Sequence, residues 1–379
     1  MLKVKVLHID NSIDYTGGFK ALLDYIVSEK DKVTSVVILP KGSQCIIHLE
    51  NEKIPYYEIP FVEIQKNVWA LLTYLPCLFL NAWKVKKIAV KERIDVLHSN
   101  DMYNLCFYLV KFFYRYKRPL VTHLRLMPSA YPAFIYNTWK KIHLRYSDEL
   151  IAVSYAVKRG YGNLPRIHVI YDISEVKEEH APYKVDYDSS LQRPFRFLYL
   201  ANFTRGKGQE LAIEAFKIFN VKNPNSTLTF AGGLLGKEKN KKFKEELIHT
   251  SNQYGLSNKI LFEDFVEDPE FKMKQYDAIL NFSFSESFSY TSYDSLRLGI
   301  PLIVSDCGGP SELFVDGESG ILVENKSVAS MAEAMHKMRN DHVMLNQFSI
   351  NSRRNIKKII DKTLTFDYLS SLFLSLKTR

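Results

Sequence analysis

The sequence predicts an α/β protein built from two doubly wound domains, and three observations carry that prediction. The chain has 379 residues, more than one hydrophobic core usually supports. Short β-type runs alternate with helical stretches along both halves, the pattern of βαβ units closing a parallel sheet. A polar segment at 174–194, with Pro182 and Pro194 and no apolar periodicity, interrupts the alternation, which then restarts.

In the first half, Val4-Lys5-Val6-Leu7-His8-Ile9 reads as a strand, followed by a polar loop at 10–18 and a helix through Leu22, Leu23 and Ile26. Residues 33–39 read as the next strand. A long helix ending near Arg93 leads to another at 95–98, and 119–123 and 150–153 complete the series. In the second half, 195–200 is a strand and 209–219 a helix with Leu211, Ala212, Ala215, Phe216 and Phe219 on one face. Strands follow at 226–231, 260–265, 278–282, 301–304 and 320–323, and a last helix at 364–376. The expected organisation is therefore a domain at 1–173, a linker at 174–194 and a second domain at 195–363. Sheets of this kind bind ligands at the carboxyl ends of their strands, where loops meet helix N-termini. Two in succession predict a cleft with a strand-end rim on each side.

Hydrophobic residues make up 46% and charged residues 25%, which is globular composition. The formal charge of +9 points to anionic partners. No run of like charges and no motif supports nucleic acid, so that partner is not expected. Cys45, Cys77, Cys106 and Cys307 lie far apart, without zinc-type spacing or a disulfide framework, so a reducing, cytoplasmic setting is expected. The start, Met-Leu-Lys-Val-Lys-Val, leads straight into a strand and reads as no signal peptide. The longest apolar run, 68–83, is broken by Thr73, Pro76 and Asn81 and falls short of the roughly 20 residues of a spanning helix. The stretch 68–91, ending Lys84-Val-Lys-Lys, is expected to pack on the first sheet. Peripheral contact with an anionic inner membrane face is the alternative.

The most specific segment runs Ser283-Phe-Ser-Glu286-Ser-Phe-Ser-Tyr-Thr-Ser-Tyr-Asp294-Ser-Leu-Arg-Leu-Gly299-Ile-Pro301. It leaves a strand and enters a helix, with Glu286 in the loop and Asp294 about one turn inside. It resembles the acidic pair of the retaining glycosyltransferases of family 4, which show Glu-Gly-Phe-Gly, a second Glu eight residues after the first, and Gly-x-Pro. Glu286, Phe288, Gly299 and Pro301 match in register, whereas Ser287 and Ser289 replace glycines and Asp294 is one methylene shorter than Glu. The resemblance implies that Glu286 holds donor-sugar hydroxyls and Asp294 the ribose. The N–H groups of Ser289, Tyr290 and Thr291 would face phosphates. A simpler reading of the same residues is helix capping, Ser283 with Glu286 or Thr291 with Asp294.

A second segment, Ala201-Asn202-Phe203-Thr204-Arg205-Gly206-Lys207-Gly208, is similar to the family's Gly-Arg-Leu-x-x-x-Lys-Gly loop, whose cations neutralise the donor diphosphate. Lys207 and Gly208 match, Asn202 stands where the arginine is expected, and Arg205 is a candidate to reach the same phosphates. A third, Ser305-Asp-Cys-Gly308-Gly309-Pro310-Ser-Glu312, resembles the family's Gly-Gly-x-x-Glu stretch; its glycines are read as site-lining and Glu312 as mainly structural. In the first half, Tyr15-Thr16-Gly17-Gly18-Phe19 resembles the N-terminal glycine loop that closes over phosphate and acceptor. It is not the Gly-x-Gly-x-x-Gly dinucleotide fingerprint, which counts against a dehydrogenase. His123, with Arg125 two residues on, occupies a strand end where the family commonly has a histidine facing the reacting sugar; His98 reads as structural.

The resemblance is strongest over 195–323 and implies the two-Rossmann GT-B architecture with the donor in the second domain and the acceptor in the first. The last helix, in residues 364–379, would cross back to the first domain. It further implies a nucleotide-diphosphate sugar (UDP- or GDP-linked), a saccharide or lipid-linked saccharide acceptor, retention at the anomeric carbon and no required metal or cofactor. Two other readings stay open. A nucleotide-sugar-binding scaffold that has lost turnover would accommodate Asn202, Ser287 and Ser289, and a sugar-nucleotide epimerase would share the architecture.

Overall fold

The computed structural model describes residues 3–60, 68–130, 132–173, 193–360 and 366–378. The chain forms two compact units, Met1–Lys177 with Thr363–Arg379, and Glu178–Lys362. Of the polar segment read as a linker, residues 174–192 lie outside the described residues, as do 364 and 365 of the last helix.

The first unit holds seven parallel strands: β1 (Val4–Ile9), β2 (Val33–Pro40), β3 (Tyr56–Ile59), β4 (Val96–Ser99), β5 (Leu120–Leu124), β6 (Glu149–Ala152) and β7 (Ile167–Val169). Their order across the sheet is β3-β2-β1-β4-β5-β6-β7. Helices cover both faces, which is why these strands read as nearly continuous apolar runs rather than alternating ones. On one face, Val4, Val6, Val37, Val96, Val121 and Ile151 pack against the helix Gly17–Ser28 and the C-terminal helix Phe366–Lys377. On the other, Leu7, Ile9, Val36, Ile38, Leu97 and Leu120 pack against the helices Val68–Lys91 and Cys106–Phe112. The long helix thus does what ordinary packing predicts, burying Leu78, Ala82, Val85 and Ala89 at the 3–4 residue spacing of one stripe.

The second unit holds six parallel strands: β8 (Phe195–Leu200), β9 (Ser226–Ala231), β10 (Ile260–Glu263), β11 (Ala278–Asn281), β12 (Leu302–Ser305) and β13 (Ile321–Val323), ordered β10-β9-β8-β11-β12-β13. Its core is aromatic, with Phe197, Tyr199, Phe216, Phe230 and Phe282 fully buried between sheet and helices. In each sheet the order reverses beside the first strand, between β1 and β4 and between β8 and β11. A doubly wound sheet opens a crevice at such a point, outside the carboxyl ends of the two strands. The loops leaving those four strands carry most of the residues singled out in the sequence.

Candidate functional site

In the second unit the loop after β8 is shaped by glycine. Gly206 and Gly208 take φ of +90° and +76°. A Cβ on Gly208 would lie 2.0 Å from the Phe282 carbonyl oxygen, so the turn closes directly on the chain leaving β11. Tyr199, buried in β8, clamps the two loops together: its hydroxyl donates to the Lys207 carbonyl and accepts from the Phe282 N–H at 2.7 Å. The Phe284 N–H adds a bond to the Gly206 carbonyl at 2.9 Å. With its backbone fixed there, Lys207 extends across the crevice and its Nζ lies 2.6 Å from Glu286 Oε2.

Glu286 is fixed from the other side. Its N–H donates to the Cys307 carbonyl and its carbonyl accepts from Gly309 N–H, both at 2.9 Å, a parallel bridge with Gly308. Gly308 adopts φ +122°, and a Cβ on Gly309 would lie 2.0 Å from the Ser287 carbonyl oxygen, so positive φ at the first and close backbone approach at the second each call for glycine. The helix Tyr290–Leu298 begins four residues after Glu286. Ser289 is its N-cap, its Oγ accepting from Ser292 N–H at 3.1 Å. Asn281, at the end of β11, donates to Ser289 and Ser292 hydroxyls and so ties the cap to the sheet. Phe288 is buried edge-on to Tyr290, and Thr291 donates through Oγ1 to the Leu200 carbonyl at 3.1 Å. Asp294 faces Arg297 at 3.5 Å, an arginine that also pairs with Glu270.

The capping reading is corrected by these contacts. Neither Ser283 nor Thr291 caps the helix, and Glu286 spends its carboxylate on Lys207. Arg205 points elsewhere than expected: two-thirds exposed, it pairs with Glu246 and lies over the Phe243 ring, both on the helix Glu238–Gln253. Asn202 works as a clip, its Oδ1 accepting from the Gly233 N–H at 3.1 Å and joining the loops after β8 and β9.

In the first unit, Gly17 and Gly18 open the helix Gly17–Ser28, capped by Thr16. Asp10, just past β1, accepts from the Asn100 amide at 2.5 Å, and the same amide donates to the Gly18 carbonyl at 3.0 Å. Arg125 donates to the Asn100 carbonyl and side-chain oxygen, each at 2.9 Å, and pairs with Asp172. A buried polar network thus pins the glycine loop to the ends of β4 and β5. Beside it, three histidines form a row: His123 Nδ1 to His98 Nε2 at 2.6 Å, His98 Nδ1 to His8 Nδ1 at 2.8 Å, and His8 Nε2 to Ser35 Oγ at 3.1 Å. Burial disfavours the charged imidazolium, holding His8 at about 3 and pushing His98 and His123 well below 6.5; Arg125 adds to the effect on His123. Three neutral rings in series donate all in one direction or all in the other. The row therefore decides whether His123 presents Nε2 as acceptor or donor.

Two family models match the chain. The one described as glycosyl transferases group 1 matches residues 188–355, and the one described as glycosyltransferase family 4 matches 38–172. The chain belongs to the group 1 glycosyltransferases of family 4. The chain is 26% identical to an alpha-1,3/1,6-mannosyltransferase (ALG2) of Dictyostelium discoideum over 49% of its own length. It is 22% identical to the N-acetyl-alpha-D-glucosaminyl L-malate synthase of Bacillus anthracis over 83%. The match spans about half the mannosyltransferase (48%) and 84% of the malate synthase. Among solved structures, Anabaena HepE in complex with UDP-glucose superposes with a TM-score of 0.77 at 20% identity, covering 98% of each chain. Staphylococcus aureus TarM gives 0.74 at 12%, covering 99% of this chain and all of TarM. Both have the GT-B fold, which this chain shares.

Lys207 and Glu286, both singled out in the sequence, lie side by side. Sequence reasoning did not find Tyr199, Asn281 or the partners of His123. The available signal for the last was parity: His8, His98 and His123 share a sheet face with Val6, Val96 and Val121, two residues before each. Among the described residues no group of three or more His, Cys, Asp or Glu could hold a metal ion, and no helix is long and apolar enough to cross a membrane.

Proposed function

We propose that the second unit binds a nucleotide-diphosphate sugar, UDP- or GDP-linked, at the crevice between β8 and β11. The sugar then passes to a hydroxyl of a saccharide or lipid-linked saccharide chosen by the first unit, with retention and without a metal. The observation that carries this reading is the 2.6 Å pair of Lys207 and Glu286 between the two switch-point loops. Their side chains are 34% and 17% exposed, and a pair this open to water contributes only about 0–1 kcal/mol. A diphosphate, with about two charges against one, replaces Glu286 as the partner of Lys207. The released carboxylate accepts hydrogen bonds from sugar hydroxyls. Asp294 takes the ribose, while the N–H groups of Ser289, Tyr290 and Thr291 and the backbone at Gly308 and Gly309 line the phosphates. Thr204 Oγ1, Gln209 Oε1 and Glu210 Oε2, buried in the same turn, find no partner among the described residues, which suits a turn built for a further hydrogen-bonding group.

In the transfer, the bond from C1 to the phosphate oxygen breaks and its electron pair leaves on the diphosphate, where Lys207 stabilises the growing charge. The acceptor oxygen bonds to C1. Retention in one step puts entry and departure on the same face, so the leaving phosphate oxygen is the nearest base for the acceptor proton. His123, with Gly17 and Gly18, lines the acceptor side. HepE holds UDP-glucose, which makes uridine diphosphate sugars the first donors to test. Four free thiols suit the cytoplasm, the compartment we assign.

A thermal-shift panel of nucleotide diphosphates and their sugars tests the reading, because a ligand that binds only the folded chain raises its midpoint. The expected result is a rise with one nucleotide family and donor consumption that needs an acceptor. Binding without consumption would leave a scaffold, and release of free nucleotide without acceptor an epimerase.

A further inference from the structure

The helix Val68–Lys91 has two apolar faces. One is buried on the first sheet; the other points outward, although ordinary packing on the sheet leaves an outer face polar. Leu75, Phe79, Leu80 and Trp83 stand on that outer face at the spacing of one helical stripe. Phe112 and Phe113, from the end of the neighbouring helix Cys106–Phe112, join them. All six are 38–62% exposed. They form one patch: the rings of Phe79 and Phe113 are 5.0 Å apart, those of Phe112 and Phe113 4.8 Å, and Tyr114 donates to the Phe79 carbonyl. Isolated exposed hydrophobes need no account, but a contiguous aromatic patch marks an interaction surface.

Charge selects the partner. No aspartate or glutamate occurs from residue 68 to 91, nor from 102 to 147, while Lys84 and Lys87 on the helix, and Arg115, Lys117 and Arg118 in the segment that follows Phe113, are exposed. Lys87 lies over the Trp83 ring at 3.6 Å, so cation and aromatic form one element of surface. A second copy would set these cations against their own kind. A bilayer with anionic headgroups takes both halves of the pattern at once, aromatic rings at headgroup depth and lysines on the phosphates.

We propose that the outer face of Val68–Lys91, with Phe112 and Phe113, docks this protein on an anionic lipid surface. The docking is peripheral, since no described helix can span. It stands apart from the donor assignment, because none of these residues belongs to the Lys207–Glu286 crevice. Each Lys or Arg held at an anionic surface tightens binding roughly five-fold, an effect that fades as salt shortens the Debye length.

The test uses the full chain and sedimentation with vesicles of phosphatidylcholine alone or with about 30% phosphatidylglycerol, at roughly 0.1 M and 0.5 M salt. Binding is expected to the anionic vesicles only, falling at least about ten-fold at high salt, with a blue shift of fluorescence that Trp83→Phe removes. Lys84→Glu with Lys87→Glu should lose binding about twenty-fold or more, and Phe79→Ser with Phe112→Ser a comparable amount. Circular dichroism and nucleotide-induced thermal shifts unchanged in these variants separate lost docking from lost folding and from any failure of the donor reading. No sedimentation with anionic vesicles, or equal binding to neutral ones, overturns the proposal. So does self-association that Phe79→Ser abolishes while vesicle binding is absent, which would make the face an interface between copies.

Discussion

Lys207 owes its position to backbone constraints more than to its charge. Two left-handed glycines flank it and a buried tyrosine hydroxyl holds its carbonyl, so the ammonium is aimed before any ligand arrives. Replacing it with alanine should leave nucleoside binding within about two-fold while weakening a nucleotide diphosphate roughly 10–100-fold, the span of one charge-assisted hydrogen bond. Calorimetry on both ligands checks this, and equal losses would assign the lysine to structure. Glu286→Gln keeps size and some hydrogen bonding but loses charge; turnover should fall about 100-fold with diphosphate affinity within a few-fold, read from kcat against binding. The histidine row gives a pH test. His8, His98, His123 and His143 are neutral in the fold, with His143 held at about 4 by burial, yet titrate near 6.5 in the unfolded chain. Below about 6.5 the unfolded chain binds more protons, so stability is full above that pH and declines as pH falls toward the lowered values. Each such histidine contributes a slope of about 1.4 kcal/mol per pH unit. In His98→Gln, denaturant titrations between about pH 6.5 and 5 should show that much less slope. An unchanged slope would mean that His98 is not buried neutral.

At the scale of elements, the strand-to-helix turns hold the candidate groups, and glycine is what lets them close. Gly206 and Gly208 make a controlled comparison: both have positive φ, but a Cβ at 206 meets open space and one at 208 meets the Phe282 backbone. Gly206→Ala should cost about 1 kcal/mol. Gly208→Ala should cost about 3 kcal/mol or more and loosen the Lys207–Glu286 pair. Equal losses on chemical denaturation would contradict the closeness of the two loops. Most strands were legible because burial on both faces turns them into apolar runs with clear ends; β8 and β9 match their expected limits residue for residue. The edge strand β3 was not, since Tyr56, Tyr57 and Glu58 are half-buried or exposed and carry no such signal. The side-chain directions of Arg205 and Asn202 were illegible for another reason. They depend on Glu246 and Gly233, partners supplied by other elements 41 and 31 residues away. The row of His8, His98 and His123 depends on β1 lying beside β4, an adjacency of residues 90 apart that local pattern does not encode.

For the whole molecule, the chain's last helix belongs to its first unit. Leu369, Leu372, Phe373 and Leu376 bury themselves on the sheet, Phe373 covers the rings of His8 and His98, and Ser370 hydrogen-bonds Tyr25. Burying four such side chains contributes roughly 6–12 kcal/mol, as much as the net stability of a typical domain. Removal of residues 366–379 should therefore unfold the first unit while the second, with its own aromatic core, retains cooperative melting and nucleotide binding. Circular dichroism and thermal shift on the truncated chain check it; an intact first unit would show that the helix is dispensable. The proposed transfer depends on one bound molecule drawing Lys207 and Glu286 apart. A structure determined with the nucleotide-diphosphate sugar that gives the largest thermal shift tests this directly. It should show Lys207 Nζ on a phosphate oxygen and the Glu286 carboxylate on a sugar hydroxyl. A donor bound elsewhere, with the lysine and glutamate still paired, would contradict it.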